Sequence, residues 1–313
     1  MIVPFYRPLK IPENHLEDLK EEIGQVLDSG LITNGEKCRQ FEDQVRRIHG
    51  CDHVVACSSC TSSLSLVLQA LGTKRLCLPS FTWKSIGYIT EHYDKVWQDI
   101  DRETWLQINQ YLHSYTTKVD THLIHNTFGS VSDFSPKDEV NIVYDGAFSF
   151  GCPNLPIGNA MVMSTTATKP ITSCDGGLIL TNESSLAEKL TTQRNFCSRM
   201  SEVHAVIGLY YLRRLEEVVE KKRRIFDKYR TKLSYPIQAI PLTTTYGYYG
   251  MLVEDRDLLL NKLQGKLEYR IRYEPLVEGL PNSDYVAKRI LCLPCYPDLD
   301  PALVIDAVLG VVK

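Results

Sequence analysis

The chain has 313 residues, 43% hydrophobic and 23% charged, and its 35 basic and 38 acidic side chains leave a formal net charge of −3. That is enough apolar material for a substantial core in roughly two domains, and the near-neutral balance gives no reason to expect nucleic acid as a partner. No apolar run is long enough to span a bilayer, and the opening Met1–Pro8 stretch lacks the layout of a signal peptide, so no membrane partner and a cytoplasmic location are expected.

Residues 11 to 28 show helical periodicity, with Leu16, Leu19, Ile23, Val26 and Leu27 on one face. Between about 50 and 190, short apolar segments near Val54, Leu76, Val96, Leu123, Val143, Met161 and Leu178 alternate with helical or loop segments. Such alternation predicts an α/β fold with a mostly parallel sheet between helices. From Ser201 to about Leu233 one long helix is expected through Val206, Leu209, Leu212, Leu215 and Val219. Its cluster Lys221-Lys222-Arg223-Arg224, beside Glu216, Glu217 and Glu220, reads as a solvated face. The strand-like Tyr246 to Val253 and the helical Asp257 to Leu263 then belong to a smaller α+β C-terminal domain. Residues 1–205 are assigned to the large domain with its N-terminal helix, and 206–313 to the linking helix and the small domain.

Lys169 lies on the short link between two of these strands, with Ser164 five residues before it and the pair Gly176-Gly177 after it. A lysine held at the floor of a pocket can lose its proton and act as a nucleophile, which is what a Schiff-base enzyme needs. Asp145 ends the strand-like Val140–Asp145, and carboxyl ends of strands are where open α/β sheets bind ligands. In a pyridoxal phosphate enzyme such an acid would keep the pyridine nitrogen protonated and the ring an electron sink. Ser58-Ser59-Cys60-Thr61-Ser62-Ser63 sits at a strand-to-helix turn, where free N–H groups and hydroxyls suit a phosphate. Trp83, just past another strand, could stack on a heteroaromatic ring. Each residue alone has an ordinary alternative: a solvated lysine, a turn-capping aspartate, a Ser/Thr helix cap, a core tryptophan.

Seven motifs in register resemble the DegT-type sugar aminotransferases, pyridoxal phosphate enzymes of the fold-type I aspartate aminotransferase group. Ser29-Gly30-Leu31-Ile32-Thr33-Asn34-Gly35 resembles the family's S-G-x-x-T-x-G. Ser59-Cys60-Thr61 resembles its S-G-T phosphate turn, with Cys60 for glycine. Pro79-Ser80-Phe81-Thr82-Trp83, His125-Asn126-Thr127-Phe128-Gly129 and Tyr144-Asp145-Gly146-Ala147 resemble three further motifs. Ser164 through Gly177 resembles the lysine segment, with Pro170 for asparagine, and Arg199-Met200-Ser201-Glu202 repeats R-M-S-E.

The resemblance implies an internal aldimine of pyridoxal 5'-phosphate at Lys169, with Asp145 on the pyridine nitrogen and Trp83 on the ring. Cys60, Thr61 and Ser164 would hold the phosphate, and Thr33, Arg199 and Tyr273 are assigned to the substrate. It further implies a ping-pong transfer from glutamate to a keto-deoxysugar carried on a nucleotide, by a homodimer. A pyridoxal phosphate enzyme of another reaction type or on a non-nucleotide cyclic ketone, or a non-catalytic relative acting as a binding partner, remain open. Departures from the family are Phe148 where it has glutamine or histidine, Cys197 where it has asparagine, Val277 where it has histidine, and a short loop before Arg199.

Ten cysteines include two C-x-x-C pairs, Cys57/Cys60 and Cys292/Cys295, which together could supply four thiolates to zinc. Cys57–Cys60, however, occupies the phosphate turn, and Cys292–Cys295 lies in an apolar run. No metal and free thiols in a reducing compartment are therefore expected.

Overall fold

Seven short apolar runs, each ended by polar or glycine-containing turns, become seven five-residue strands. The computed structural model describes residues 2–108, 118–132, 140–239 and 244–312. The strands are β1 (His53–Cys57), β2 (Arg75–Pro79), β3 (Asp94–Gln98), β4 (Thr121–His125), β5 (Asn141–Asp145), β6 (Ala160–Ser164) and β7 (Gly177–Thr181). They form one sheet in the order β1-β7-β6-β5-β4-β2-β3, parallel throughout except where β7 runs antiparallel to β1 and β6. Every residue of β4, β6 and β7 is buried, as expected of strands covered on both faces.

Helices α1 (Glu13–Ser29), α2 (Glu36–His49), α3 (Cys60–Ala70), α4 (Lys84–Ile89), α5 (Ser184–Cys197), α6 (Glu202–Leu212) and α7 (Leu215–Lys232) complete this part of the chain. On one face of the sheet, Leu64, Val67 and Leu68 of α3 pack on Val55, Leu76, Leu123, Val143 and Ile179. On the other, Phe41, Val45, Val206 and Leu209 from α2 and α6 meet Met161, Met163 and Leu178. Each such fully buried side chain contributes about 1.5–3 kcal/mol by leaving water. A second, two-stranded sheet pairs β8 (Tyr249–Leu252) with β9 (Ile290–Leu293), antiparallel, and is joined by α8 (Arg256–Leu263), α9 (Pro281–Arg289) and α10 (Pro301–Val312). Its core combines Ile225, Phe226 and Tyr229 of α7 with Tyr249, Met251, Leu291, Leu293 and Val304. No helix among the described residues is long and apolar enough to cross a membrane.

Three sequence expectations are corrected. The expected helix from Ser201 to Leu233 is two helices. Arg214 leaves helical geometry at φ −112°, ψ 13°, and its guanidinium bonds Glu217, the Lys10 carbonyl and the Tyr210 hydroxyl instead of pointing to solvent. The break turns the chain from the first core into the second, with Leu215 in the former and Ile225 in the latter. Within the basic cluster, Lys222 is not solvated. It is 3% exposed and its ammonium donates to the Gly247 carbonyl at 3.1 Å, because it faces inward beside Phe226 while Lys221, Arg223 and Arg224 pair with surface carboxylates. Leu27 points outward, 59% exposed, one position beyond the buried Val26.

The R-M-S-E acid has a structural task. Glu202, 3% exposed, accepts the backbone N–H groups of Gly35, Lys37 and Cys38 at 2.8, 2.8 and 2.9 Å, which are the orphan donors at the start of α2. Gly35 permits the approach, since a Cβ there would sit 2.6 Å from a Glu202 carboxylate oxygen. Burial alone would raise the Glu202 pKa, but the hydrogen bonds from Cys38, Lys37 and Gly35 outweigh it and hold the pKa below the ordinary value. A depressed carboxyl stabilises the fold above the unfolded glutamate pKa and loses that contribution as pH falls through its folded value. Glu202→Ala is expected to lower stability by about 3 kcal/mol at neutral pH, by loss of charge-assisted bonds. The deficit relative to wild type should shrink in acid. Urea unfolding at both pH values checks this, and equal stability at neutral pH would refute the capping role.

Candidate active site

The turn from β1 into α3 builds an anion cradle. Ser59 caps α3, its Oγ accepting the Ser62 N–H at 3.1 Å and its carbonyl the Ser63 N–H at 3.0 Å. The first-turn amides of Cys60 and Thr61 have no intrahelical acceptor by their position, and the helix dipole adds positive potential there. Gly177, the first residue of β7, packs directly on this turn, and a Cβ would collide with the Ser59 carbonyl and the Cys60 nitrogen. Opposite, Ser164 ends β6 with its hydroxyl 3.2 Å from that of Thr166, and the Thr61 hydroxyl lies 3.0 Å from that of Ser85.

From this cradle a cavity of about 320 Å³ opens over the carboxyl ends of the parallel strands. Asp145 closes β5, only 5% exposed, with Oδ1 accepting the Ala147 N–H at 3.0 Å. Lys169 arrives on the link between β6 and β7, turned inward by its N–H to the Thr166 carbonyl at 3.1 Å. Its amine has no hydrogen-bond acceptor among the described residues; it rests on the face of Phe148, Nζ 3.3 Å from the ring centre. Burial pushes the amine down to about 8; Cys60 and Asp145 oppose the shift, and the nearby Arg272 and Lys222 charges add to it. A lysine so perturbed is partly neutral near physiological pH, the form that attacks a carbonyl.

Aromatic and cationic side chains form the remaining walls. Trp83 stands at the rim, 38% exposed, with the Arg272 guanidinium 4.5 Å from its ring centre. Tyr273 is buried, edge-on to Phe81, Trp83 and His125 at 5.4, 6.3 and 5.4 Å. His125 ends β4 beside Asp145; burial lowers its pKa, with Asp145 opposing, which favours the neutral ring. Burial likewise drives the Cys60 thiol well up, so it is no thiolate nucleophile.

Cys60, Thr61, Trp83, Asp145, Ser164, Lys169 and Tyr273 thus line one cavity. Thr33 and Arg199 do not. They line a separate depression of about 530 Å³ with Arg39, Glu42 and Arg194, Thr33 bridging to Ser201 and Arg199 to Cys57 through the backbone. Sequence reasoning gave no role to His125, Tyr248 or Arg272, and saw Phe148 only as a missing polar group. Two signals were available, the position of Phe148 three residues after Asp145 and that of Arg272 beside Tyr273. Of the C-x-x-C cysteines, Cys57 and Cys295 pack in two different apolar cores, Cys292 in a third, and Cys60 faces the cavity. No cluster of three or more metal-ligating side chains occurs among the described residues.

The profile of the DegT/DnrJ/EryC1/StrS aminotransferase family matches residues 14–247. The chain belongs to that family. Among its relatives is the UDP-4-amino-4-deoxy-L-arabinose--oxoglutarate aminotransferase of Shewanella sediminis (strain HAW-EB3), 22% identical, with 94% of each chain covered. Similar solved structures include PseC of Helicobacter pylori, an aminotransferase of pseudoaminic acid biosynthesis (TM-score 0.88, 18% identity, 99% of each chain). Another is DesV of S. venezuelae in complex with a ketimine intermediate (TM-score 0.87, 21% identity, 96% of each chain). The fold is that of the fold-type I aminotransferases, the chain is an aminotransferase, and its cofactor is pyridoxal phosphate. The cavity suits that group: a glycine-backed anion cradle, a buried acid and a desolvated amine all face the same space.

The Phe148 contact predicts a measurable property of the amine. A cation on an aromatic face gains about 0.5–2 kcal/mol, which favours the protonated form. Phe148→Leu keeps the site apolar but removes that attraction, so the Lys169 pKa should fall by about 0.4–1.5 units, while Phe148→Tyr should retain it. Competitive acylation of cofactor-free protein across pH, resolved by peptide, reads the value. An unshifted leucine variant would show the contact to be incidental.

Proposed function

We propose that this enzyme moves an amino group from glutamate to a keto-deoxysugar carried on a nucleotide, in two half-reactions. The observation that carries the reading is a desolvated lysine amine sharing one cavity with a buried aspartate and a glycine-backed anion cradle. Lys169 would hold the cofactor covalently, with Asp145 on its ring nitrogen, Trp83 against its ring, and Cys60, Thr61 and Ser164 on its phosphate. When bound, pyridoxal phosphate supplies a carbonyl carbon that condenses with amines and a protonated ring that accepts the electrons of a broken C–H bond. Lys169 Nζ, once freed, takes the proton from the substrate carbon bearing nitrogen and acts as general acid–base.

The choice of glutamate and of a nucleotide-borne sugar is supported by relatives. The Shewanella protein's name pairs a UDP-sugar with oxoglutarate, and a similar structure, DesI, was solved with its TDP-sugar product. A homodimer is part of the proposal. Leu31 and Ile32 are 55% and 51% exposed and Phe196 is 85% exposed; the two segments are joined by an Asn34–Asn195 hydrogen bond. Such an apolar patch calls for cover, and Thr33 and Arg199 lie near it.

Protein loaded with pyridoxal phosphate should be yellow and bleach when glutamate is added, and the colour should return with a nucleotide-linked keto-sugar. A coloured protein indifferent to glutamate refutes the donor, and one that bleaches but ignores keto-sugars refutes the acceptor. Light scattering on the same sample should give twice the chain mass; an active monomer would contradict the dimer.

A further inference from the structure

Lys222 is a buried charge to which the proposed mechanism gives no work. It is 3% exposed on α7, and its ammonium donates to the Gly247 carbonyl at 3.1 Å. It joins no ion pair among the described residues. The titratable group facing it is the Cys295 thiol, which donates to the Lys222 carbonyl at 3.9 Å. Burial pushes that thiol up to about 11, so it supplies no counter-ion at neutral pH. Burial also lowers the pKa of Lys222, with Cys295 opposing. A buried ammonium with one neutral acceptor is costly, and an apolar side chain of the same length would fill the space without that cost.

The carbonyl it holds belongs to a strap along the active site. Gly247 donates its N–H to the Phe128 carbonyl at 3.0 Å, and a Cβ on it would meet that carbonyl and, at 2.8 Å, the Phe148 ring. Two residues earlier the Thr245 hydroxyl donates to the Phe148 carbonyl, and one residue later the Tyr248 ring packs on that of Phe148 at 4.8 Å. The Tyr248 hydroxyl donates to that of Thr168, the residue before Lys169, at 3.4 Å. Residues 245–248 thus hold both the ring on which the Lys169 amine rests and the backbone neighbour of that amine. The groups whose charges act on Lys169 are Cys60, Asp145, Arg272 and Lys222, and of these only Lys222 lies outside the cavity lining.

We propose that Lys222 is a positioning residue for Lys169: it holds residues 245–248 against Phe148 and Thr168, and it sets a second buried cation near the amine. The assignment rests on the proposed function only in taking Lys169 as the working amine. Loss of Lys222 acts on Lys169 in one direction. It removes a repelling charge and loosens the wall that keeps the amine from water, and both changes favour the protonated form.

The test uses the cofactor-free full chain as wild type, Lys222→Met, Lys222→Arg and the surface control Lys221→Met. Competitive acylation across pH, resolved by peptide, reads the Lys169 amine, and urea unfolding is run on the same samples. In Lys222→Met the Lys169 titration should move up by about one unit, so that its reactivity at pH 7 falls about tenfold. The urea midpoint should equal or exceed that of wild type, because a buried charge has been replaced by an apolar chain. Lys222→Arg keeps the charge and the donors, so Lys169 should stay within about threefold of wild type; Lys221→Met should leave it unchanged. Lys169 reactivity within twofold of wild type in Lys222→Met would overturn the assignment. So would a lowered urea midpoint accompanying the loss of reactivity in that variant, which would make Lys222 a stabilising residue alone. If the larger arginine lowers the urea midpoint, the methionine variant decides. Since the amine is read before any cofactor or substrate is added, a Lys169 found not to carry the cofactor would refute the proposed function and leave this result standing.

Discussion

A half-buried lysine amine, partly desolvated and without a hydrogen-bond acceptor among the described residues, is the condition on which the rest of this site turns. Desolvation disfavours the charged form of a lysine, and such burial persists only where surrounding structure imposes it. Here the imposition comes from the link between β6 and β7. Those strands pair antiparallel with Ser164 opposite Gly177, so the intervening residues must close on themselves. They do so through Thr165 N–H to the Gly176 carbonyl at 3.0 Å, Ser173 N–H to the Thr165 carbonyl at 2.8 Å, and a Thr165–Ser173 hydroxyl pair at 2.6 Å. That knot of small polar side chains aims Lys169 across the strand ends at Asp145 and Phe148. The lysine's chemistry is thus set by backbone closure at a distance from the amine.

The same strand pair fixes the opposite end of the cavity. β7 lies between β1 and β6, so its first residue, Gly177, touches the turn that starts α3 while the residue across from it, Ser164, faces the same turn from the other side. A single antiparallel strand inserted into a parallel sheet therefore brings together the anion cradle and the lysine loop. The small two-stranded sheet and its approaches supply the other wall, Tyr248, Arg272 and Tyr273, an aromatic and cationic surface. The two walls of the cavity are therefore drawn from different parts of the chain.

The sheet was legible in the sequence, and so was the set of residues that line one cavity at its strand ends, Cys60, Thr61, Asp145, Ser164 and Lys169. Buried strands are continuous apolar runs, and two of their carboxyl ends carry polar residues that face the cavity, Asp145 after Tyr144 and the Ser/Thr turn after Cys57. The break at Arg214 was not legible, because apolar periodicity continues on both sides of it and only tertiary partners, Lys10 and Tyr210, draw the arginine out of helical geometry. Lys222 hid within a run of four basic residues, since composition cannot tell which member of a helical cluster faces inward. Thr33 and Arg199 carry motif letters yet line another depression, because motif membership says nothing of which side of β1 a residue approaches. Phe148 and Arg272 were missed for a shared reason: their contacts are ring faces meeting cations from other parts of the chain, Phe148 with Lys169 and Arg272 with Trp83.

Borohydride reduction of fully cofactor-loaded protein, followed by peptide mass mapping, tests the central assignment most directly. The expected result is a pyridoxyl adduct confined to the peptide bearing Thr168-Lys169-Pro170, with the buried Lys222 unmodified. An unmodified Lys169 peptide, or an adduct at any other lysine, would contradict it.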